Sequence, residues 1–348
     1  MAENNGLVLV TGGTGYVAGH IVAELLNRGY HVRTTVRTAA KEQVVRDAVA
    51  TATDPADRLH FAHADLTRDE GWDTAMEGVT YVMHVASPLG LSGSDPQALI
   101  DTAHGGTLRV LDAAARAGVR RVVMTSAANT SSPSSYADDG ITDETLWTDP
   151  DDPNVIPYRR SKTVAELAAW GFAEAHPGGP EITTVLPGAV FGPTLSTSTT
   201  GSVGIIAALL TGKMVGIPRI GLEVVDVRDL ADVHIRAMTS PKAADERFLA
   251  TGEFMWMADI AQALRQDLGT SAANVTTHEL DDDVVRKAAE TDVAMAEILP
   301  GLGRRSRHST DKARRLLNWR PRPGREAVTD CARSLIAHGA VPADPTSI

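Results

Sequence analysis

Leu7-Val8-Leu9-Val10-Thr11-Gly12-Gly13-Thr14-Gly15-Tyr16-Val17-Ala18 is the stretch on which the reading of the fold turns. Four apolar residues run without a break into a glycine turn, as expected of a strand buried on both faces. Beyond the turn, Val17, Ile21, Val22, Leu25 and Leu26 share one helix face. Gly29 ends that helix. Val32 to Arg37 is then a second strand, with Val32, Thr34 and Val36 on one side. In a strand–turn–helix–strand order, the glycine turn is a place for a dinucleotide. Gly12 permits the tight turn, Gly15 lets backbone approach a pyrophosphate, and Ala18 lets the helix close on the strand. The helix N-terminus adds free N–H groups and a partial positive charge.

The alternation continues outward. Strands are expected at 59–64, 81–86, 121–125 and 182–186. Helices are expected at 97–117, closed by Gly118, and at 158–175, entered after Pro157. Strands alternating with helices predict an α/β fold of the Rossmann type, a doubly wound parallel sheet. After Pro187 the pattern loosens into a stretch rich in Gly, Ser and Thr. Val224 to Val227 and a helix from Asp229 read as a return to the sheet, and from about Ala258 the chain is mostly helical. The expected organisation is a dinucleotide-binding domain over 1–187 plus about 224–250. Residues 188–223 and 251–340 would form a smaller, helix-rich C-terminal substrate lobe.

Composition narrows the partners. A formal net charge of −11 over 348 residues argues against sequence-independent nucleic-acid binding, which needs basic surface. The single cysteine, Cys331, allows neither an internal disulfide nor a cysteine metal site, and a reducing cytoplasm is the natural reading. No basic-then-apolar leader is read at the start. No apolar run approaches the roughly 20 residues that span a bilayer. No metal is expected. The sequence leaves monomer and homodimer both open.

The end of the second strand discriminates between cofactors. An NAD site usually offers a carboxylate there for the ribose 2′-hydroxyl. This chain offers Thr35-Val36-Arg37-Thr38, with Lys41 a turn later and no acid before Glu42. A guanidinium can grip a 2′-phosphate, which predicts NADPH/NADP+.

Tyr158-Arg159-Arg160-Ser161-Lys162 opens the helix after Pro157. Residues four apart share a helix face, which sets a phenol beside an ammonium. A nearby cation is expected to lower the phenol's pKa and suit it to exchanging a proton with an alkoxide.

Together these stretches resemble the extended short-chain dehydrogenase/reductases, and within them the dihydroflavonol reductase, cinnamoyl-CoA reductase and microbial aldehyde/ketone reductase group. The resemblance is carried by Val10 to Ala18, Thr35-Val36-Arg37, Ala64-Asp65-Leu66, His84-Val85-Ala86-Ser87-Pro88, Tyr158 to Lys162, Leu186 to Pro193, Val225 to Ala231, and Asp311-Lys312-Ala313 through Leu316 to Pro321. It covers about Leu7 to His338. It implies NADPH-dependent reduction of a small-molecule aldehyde or ketone, with Tyr158 as proton donor. Lys162 would tune Tyr158 and bind the nicotinamide ribose. Thr11, Gly12, Thr14, Gly15, Tyr16 and Val17 would hold the pyrophosphate side. Asp65 and Leu66 would border adenine, and Val85, Ala86, Ser87 and Thr125 would lead to the nicotinamide ribose. Pro187, Gly188 and Val190 would flank the nicotinamide, and Ser202 would touch a phosphate. The substrate would lie between the lobes, near Pro88-Leu89, Asn129 to Ser132 and the 193–205 loop.

One position departs from the group. Its members usually carry Thr-Ser-Ser after the fifth strand, and the second serine helps to polarise the carbonyl. Here Thr125-Ser126 is followed by Ala127. Losing one such donor typically costs about 10² to 10³ in rate. Ser126 and Asn129 are the expected replacements. Two other readings stand beside the reductase. One is a sugar-nucleotide epimerase or dehydratase, which Arg37 disfavours. The other is a non-catalytic NADP(H) sensor, which Ala127 favours and the Tyr158–Lys162 pair disfavours.

Overall fold

The computed structural model describes residues 6–90, 95–133 and 140–342. Its strands are β1 Leu7–Val10, β2 His31–Val36, β3 Leu59–His63, β4 Val79–His84, β5 Arg121–Thr125 and β6 Ile141–Thr142. They continue with β7 Glu181–Pro187, β8 Ala189–Phe191, β9 Gly221–Asp226, β10 Glu246–Ala250, β11 Glu253–Trp256 and β12 Arg307–His308. The helices are α1 Tyr16–Asn27, α2 Ala40–Ala50, α3 Trp72–Met76, α4 Pro96–Arg116, α5 Pro157–Ala175 and α6 Val203–Leu210. They continue with α7 Val227–Thr239, α8 Met257–Leu268, α9 Asp282–Ala288, α10 Val293–Ile298, α11 Asp311–Leu317 and α12 Gly324–Ala337.

Seven strands form one sheet in the order β10-β7-β5-β4-β1-β2-β3, parallel at every pairing. The order reverses between β1 and β4, and the carboxyl ends of the strands at such a point form the crevice where ligands bind in open α/β sheets. One face is closed by α1, α2, α7 and α11, through Ile21, Leu25, Val45, Leu230 and Leu317. The other is closed by α3, α4 and α5, through Met76, Val110, Ala165 and Phe172. A second apolar cluster joins Phe191, Val203, Ile206, Ile260, Leu264, Val328 and Leu335.

The structure differs from the sequence reading in three places. Val224 to Val227 does not return to the large sheet. β9 pairs with β8 and β11 in a separate three-stranded sheet, and the seventh strand of the large sheet is β10. Both segments are short apolar runs, and strand periodicity does not say which neighbour a strand will take. Three helices stand where none was expected: α2, which carries Lys41, the short α3, and α6, inside the Gly/Ser/Thr-rich region. Finally, Ala313, Leu317 and Trp319 pack with α1 and α7 rather than in the second cluster, and the Trp319 indole donates to Asp229 O at 2.8 Å.

Arg121 fixes α7 to the sheet. Its side chain is 2 % exposed and pairs with Glu181 at 2.6 Å. Its Nη1 donates to the carbonyls of Ala237, Met238 and Ser240 at 2.7, 3.0 and 2.7 Å. Those carbonyls lie at the end of α7, where a cation suits the helix dipole. Arg121→Met should cost about 3 kcal/mol in a urea titration, because several buried acceptors lose their donor together.

Candidate functional site

The glycine turn is tightly built and leaves little room for side chains. Gly12 sits at φ +75, and a Cβ there would come 3.0 Å from the Ala86 Cβ. Gly15 precedes α1 and closes the turn through its N–H to Gly12 O at 2.8 Å. Gly13, to which the spacing argument gave no role, is also constrained. A Cβ on it would stand 2.4 Å from Thr34 Oγ1. Thr35, also unforeseen, holds the turn with its hydroxyl on Gly12 N at 2.9 Å and its carbonyl on Gly13 N at 3.0 Å.

Thr11 joins this turn to the end of β4. Its Oγ1 accepts from Val85 N at 3.0 Å and Ala86 N at 2.9 Å. The hydroxyl proton therefore goes to His84 Nδ1, 3.1 Å away. His84 is thus a neutral imidazole with its hydrogen on Nε2, which faces Thr107 Oγ1 at 3.5 Å. Burial, helped by the nearby Lys162, pushes its pKa down to about 3. On α1, Tyr16 donates to Gly192 O at 2.9 Å and His20 Nε2 meets Pro193 O at 2.8 Å. The helix thereby carries the start of the 193–205 loop. Val17 packs against the core. Thr14 is exposed and lines a small crevice under Leu195 and Ser198.

Beyond the end of β2 lies an open recess of about 1030 Å³, lined by Arg37, Lys41, Asp65, Arg68 and Arg109 among others. The Thr67 backbone N–H and hydroxyl, at 2.9 and 2.8 Å, hold Asp65 below the ordinary carboxylate range, and Arg37 adds to this. Glu42, the nearest acid on α2, is engaged by His63 at 2.9 Å. Leu66 sits against Gly106 of α4, where a Cβ would come within 2.8 Å of it.

Pro157 stands at the start of α5, which brings Tyr158 and Lys162 to one face of the helix. Lys162 is buried, and burial lowers its pKa to about 8 against the opposing pull of Glu166. Burial raises the pKa of the Tyr158 phenol. The spacing argument expected Lys162 to lower it. The shift comes from burial alone, which disfavours the charged phenolate, with no offset from Lys162.

The turn after β5 is closely held. Ser126 Oγ donates to Glu166 Oε2 at 2.6 Å. The same fully buried carboxylate accepts from Thr130 Oγ1 at 2.6 Å, Thr184 Oγ1 at 2.7 Å and Arg247 Nε at 2.9 Å. Thr125 turns its hydroxyl to His234 Nε2 at 2.8 Å. Ser131 Oγ donates to Asp143 O. Ser132 Oγ lies 2.8 Å from His308 Nε2. The Asn129 carbonyl accepts from Arg159 Nε at 2.7 Å. Its side-chain Oδ1 is buried with no hydrogen-bond partner among the described residues. Ala127 is buried. Nothing in the sequence pattern announced Glu166, Arg247 or Arg159, which are ordinary charged residues until the fold buries them.

Of the remaining expected residues, Ser87 follows β4, Pro187 ends β7 and Val190 lies in β8. Ser87, Gly188 and Val190 are half-buried and Pro187 is buried. Gly188 packs on β9, where a Cβ would stand 2.3 Å from Glu223 O. Ser202 immediately precedes α6 without capping it through its side chain.

Residues 8–250 match the NAD dependent epimerase/dehydratase family. Cinnamoyl-CoA reductase 1 of Oryza sativa subsp. japonica is 36% identical over 274 residues, 76% of this chain and 77% of that protein. The ketoreductase azaE of Aspergillus niger is 33% identical over 297 residues, 80% and 87% of the two chains. Among solved structures, yeast methylglyoxal/isovaleraldehyde reductase Gre2, complexed with NADPH, superposes with a TM-score of 0.79. It is 22% identical, over 96% of this chain and 100% of that one. The chain therefore belongs to the NAD dependent epimerase/dehydratase family, the extended short-chain dehydrogenases/reductases, and its curated relatives there include reductases.

Proposed function

We propose that this protein is an NADPH-dependent reductase of aldehydes or ketones, in which Tyr158 protonates the carbonyl oxygen. The observation that carries the reading is the pairing of Tyr158 and Lys162 on α5 with a dinucleotide turn and a basic recess on the same sheet. The balanced reaction is carbonyl + NADPH + H+ to alcohol + NADP+.

The residues fit the cofactor. Gly12 leaves room where a side chain would collide, and Arg37 and Lys41 line the recess beyond β2 together with Arg68 and Arg109. Arg37 and Lys41 would grip the 2′-phosphate, and the turn backbone with the α1 N-terminus would hold the pyrophosphate. Bound NADPH would supply the hydride to the carbonyl carbon. Tyr158, kept protonated by burial, is the acid. Lys162 keeps a positive charge beside it below about pH 8.

Asn129 is the donor we assign in place of the missing serine. The hydroxyl of Ser126 is spent on Glu166 and that of Ser131 on Asp143 O. Thr130 and Ser132 are likewise held by Glu166 and His308. Asn129 alone in this turn keeps a buried side-chain atom unpaired. Turning its amide exchanges acceptor for N–H donor, and so the group can meet a carbonyl oxygen.

Three outcomes check the reading. Consumption of NADPH at 340 nm should depend on an aldehyde, α-keto ester or aryl ketone and fall about 10³-fold in Tyr158→Phe, the scale of lost general acid catalysis. NADPH that binds while a broad panel stays unreduced would point to a sensor instead. Arg37→Asp should raise the KM for NADPH about 10- to 100-fold and barely change that for NADH, as loss of a charged bidentate contact implies. A parallel shift in both would remove Arg37 from the 2′-phosphate. Reductive kcat/KM should fall as pH rises through about 8, where Lys162 loses its proton, and Lys162→Arg should carry that limb to higher pH. A profile unchanged by Lys162→Arg would assign the limb to another group.

A further inference from the structure

A hydroxyl, an imidazole and a carboxylate meet at a second place, from three distant parts of the chain. Glu223 lies on β9, His308 on β12 and Ser132 at the end of the turn after β5. The Glu223 carboxylate takes His308 with both oxygens. Oε1 accepts from the His308 backbone N–H at 2.7 Å, and Oε2 accepts from Nδ1. A carboxylate only accepts, so Nδ1 carries the hydrogen and Nε2 is left facing Ser132 Oγ at 2.8 Å. The His308 and Glu223 side chains are 7% and 9% exposed. This is the order of groups that activates a nucleophile in acyl transfer. Ser132, however, has no exposed surface and its Oγ also lies 3.2 Å from Ala128 O. A nucleophile must reach its substrate, so that role is closed to it.

What the array does hold is the Ala128–Ser132 turn. Ser132 O accepts from Arg159 Nη2 at 2.5 Å, next to Tyr158. β6, which pairs with β12, is tied to the same turn by Thr142 Oγ1 on Ser131 O at 2.8 Å. On its other side Glu223 backs Gly188. The array thus spans from the crevice wall at Gly188 to the turn that bears Asn129.

We propose that His308, oriented by Glu223, is a positioning residue that anchors the Ala128–Ser132 turn through Ser132 and so holds Asn129 against the reacting carbonyl. This rests on the assignment of Asn129 made above. His308 touches neither substrate nor cofactor in this role. It ties the segments around β9 and β12 to the loop beside the catalytic helix.

Variants of the full-length protein test it. The amide nitrogen of asparagine falls where Nδ1 of histidine stands, and that of glutamine reaches as far as Nε2. His308→Asn keeps the bond to Glu223 and loses Ser132, whereas His308→Gln retains a group facing Ser132. At saturating NADPH, His308→Asn and Ser132→Ala should each lower kcat about tenfold, a fraction of the full loss of a carbonyl donor. The Kd for NADPH, read by quenching of tryptophan fluorescence, should stay within about twofold, and His308→Gln should recover kcat to within about threefold. The double variant should be no worse than either single one, because both cut the same contact. Equal losses in His308→Asn and His308→Gln would overturn the inference, since a packing role would not tell them apart. Asn129→Ala separates the two readings. If it loses activity while His308→Asn keeps it, the anchoring fails and the donor stands. If it keeps activity while His308→Asn loses it, the donor assignment fails and the anchoring stands.

Discussion

A carboxylate with no access to water ties α5 to the turn after β5 and to the sheet. Glu166 sits one helical turn beyond Lys162 on α5, and its two oxygens collect Ser126, Thr130, Thr184 and Arg247. Those partners come from the turn after β5, from β7 and from β10. A buried charge is tolerated only when paired and fully hydrogen-bonded. Arg247 meets the same demand in reverse, with further bonds to Glu144 O and Leu146 O at 2.6 and 3.0 Å and the Trp147 ring beneath it at 3.5 Å. α5 and the turn after β5 are therefore fixed to one another through this anion, alongside the bonds of Arg159 to Asn129 O and Ser132 O. That anion also supplies the field that opposes desolvation of Lys162.

Neutral imidazoles do comparable work around the nucleotide turn. His84 orders Thr11 and, through it, the two loops that meet at Ala86. His234 receives the Thr125 hydroxyl and donates from Nδ1 to Leu230 O at 2.7 Å, which stitches β5 to α7. His20 grips Pro193 O from α1. Burial lowers the pKa of all three, to about 3, 4 and 4. Each binds a proton more readily in the unfolded chain, near 6.5, than in the folded one. Their contribution to stability is present above that pH and is lost as pH falls from there toward the folded values. No helix among the described residues is long and apolar enough to cross a membrane.

The replacement of a serine by Ala127 shows how a local rule can be broken without emptying a site. Ala127 is buried, and the hydroxyls on either side of it are turned inward to Glu166. The turn after β5 is thereby tied into the core, and among its described residues one polar side chain, Asn129, keeps a buried atom unpaired. Sequence comparison with the group pointed to two candidates for the missing donor. They could not be separated without knowing that Ser126 hydrogen-bonds into the core.

Local patterns were enough for the parallel sheet, the glycine turn, the start of α5 at Pro157 and the sharing of one face by Tyr158 and Lys162. Each depends on neighbours within a turn or two of chain, where apolar periodicity and glycine spacing act directly. The change of basic for acidic residues after β2 was legible for the same reason. The pairing of β9 with β8 and β11, the capture of Trp319 by the first core and the meeting of Glu223, His308 and Ser132 were not legible, because each joins segments far apart in sequence. The direction of the Tyr158 shift belongs with them. Spacing says that a lysine shares the face, but only tertiary packing decides how much water the phenol loses, and here burial sets the direction of the shift.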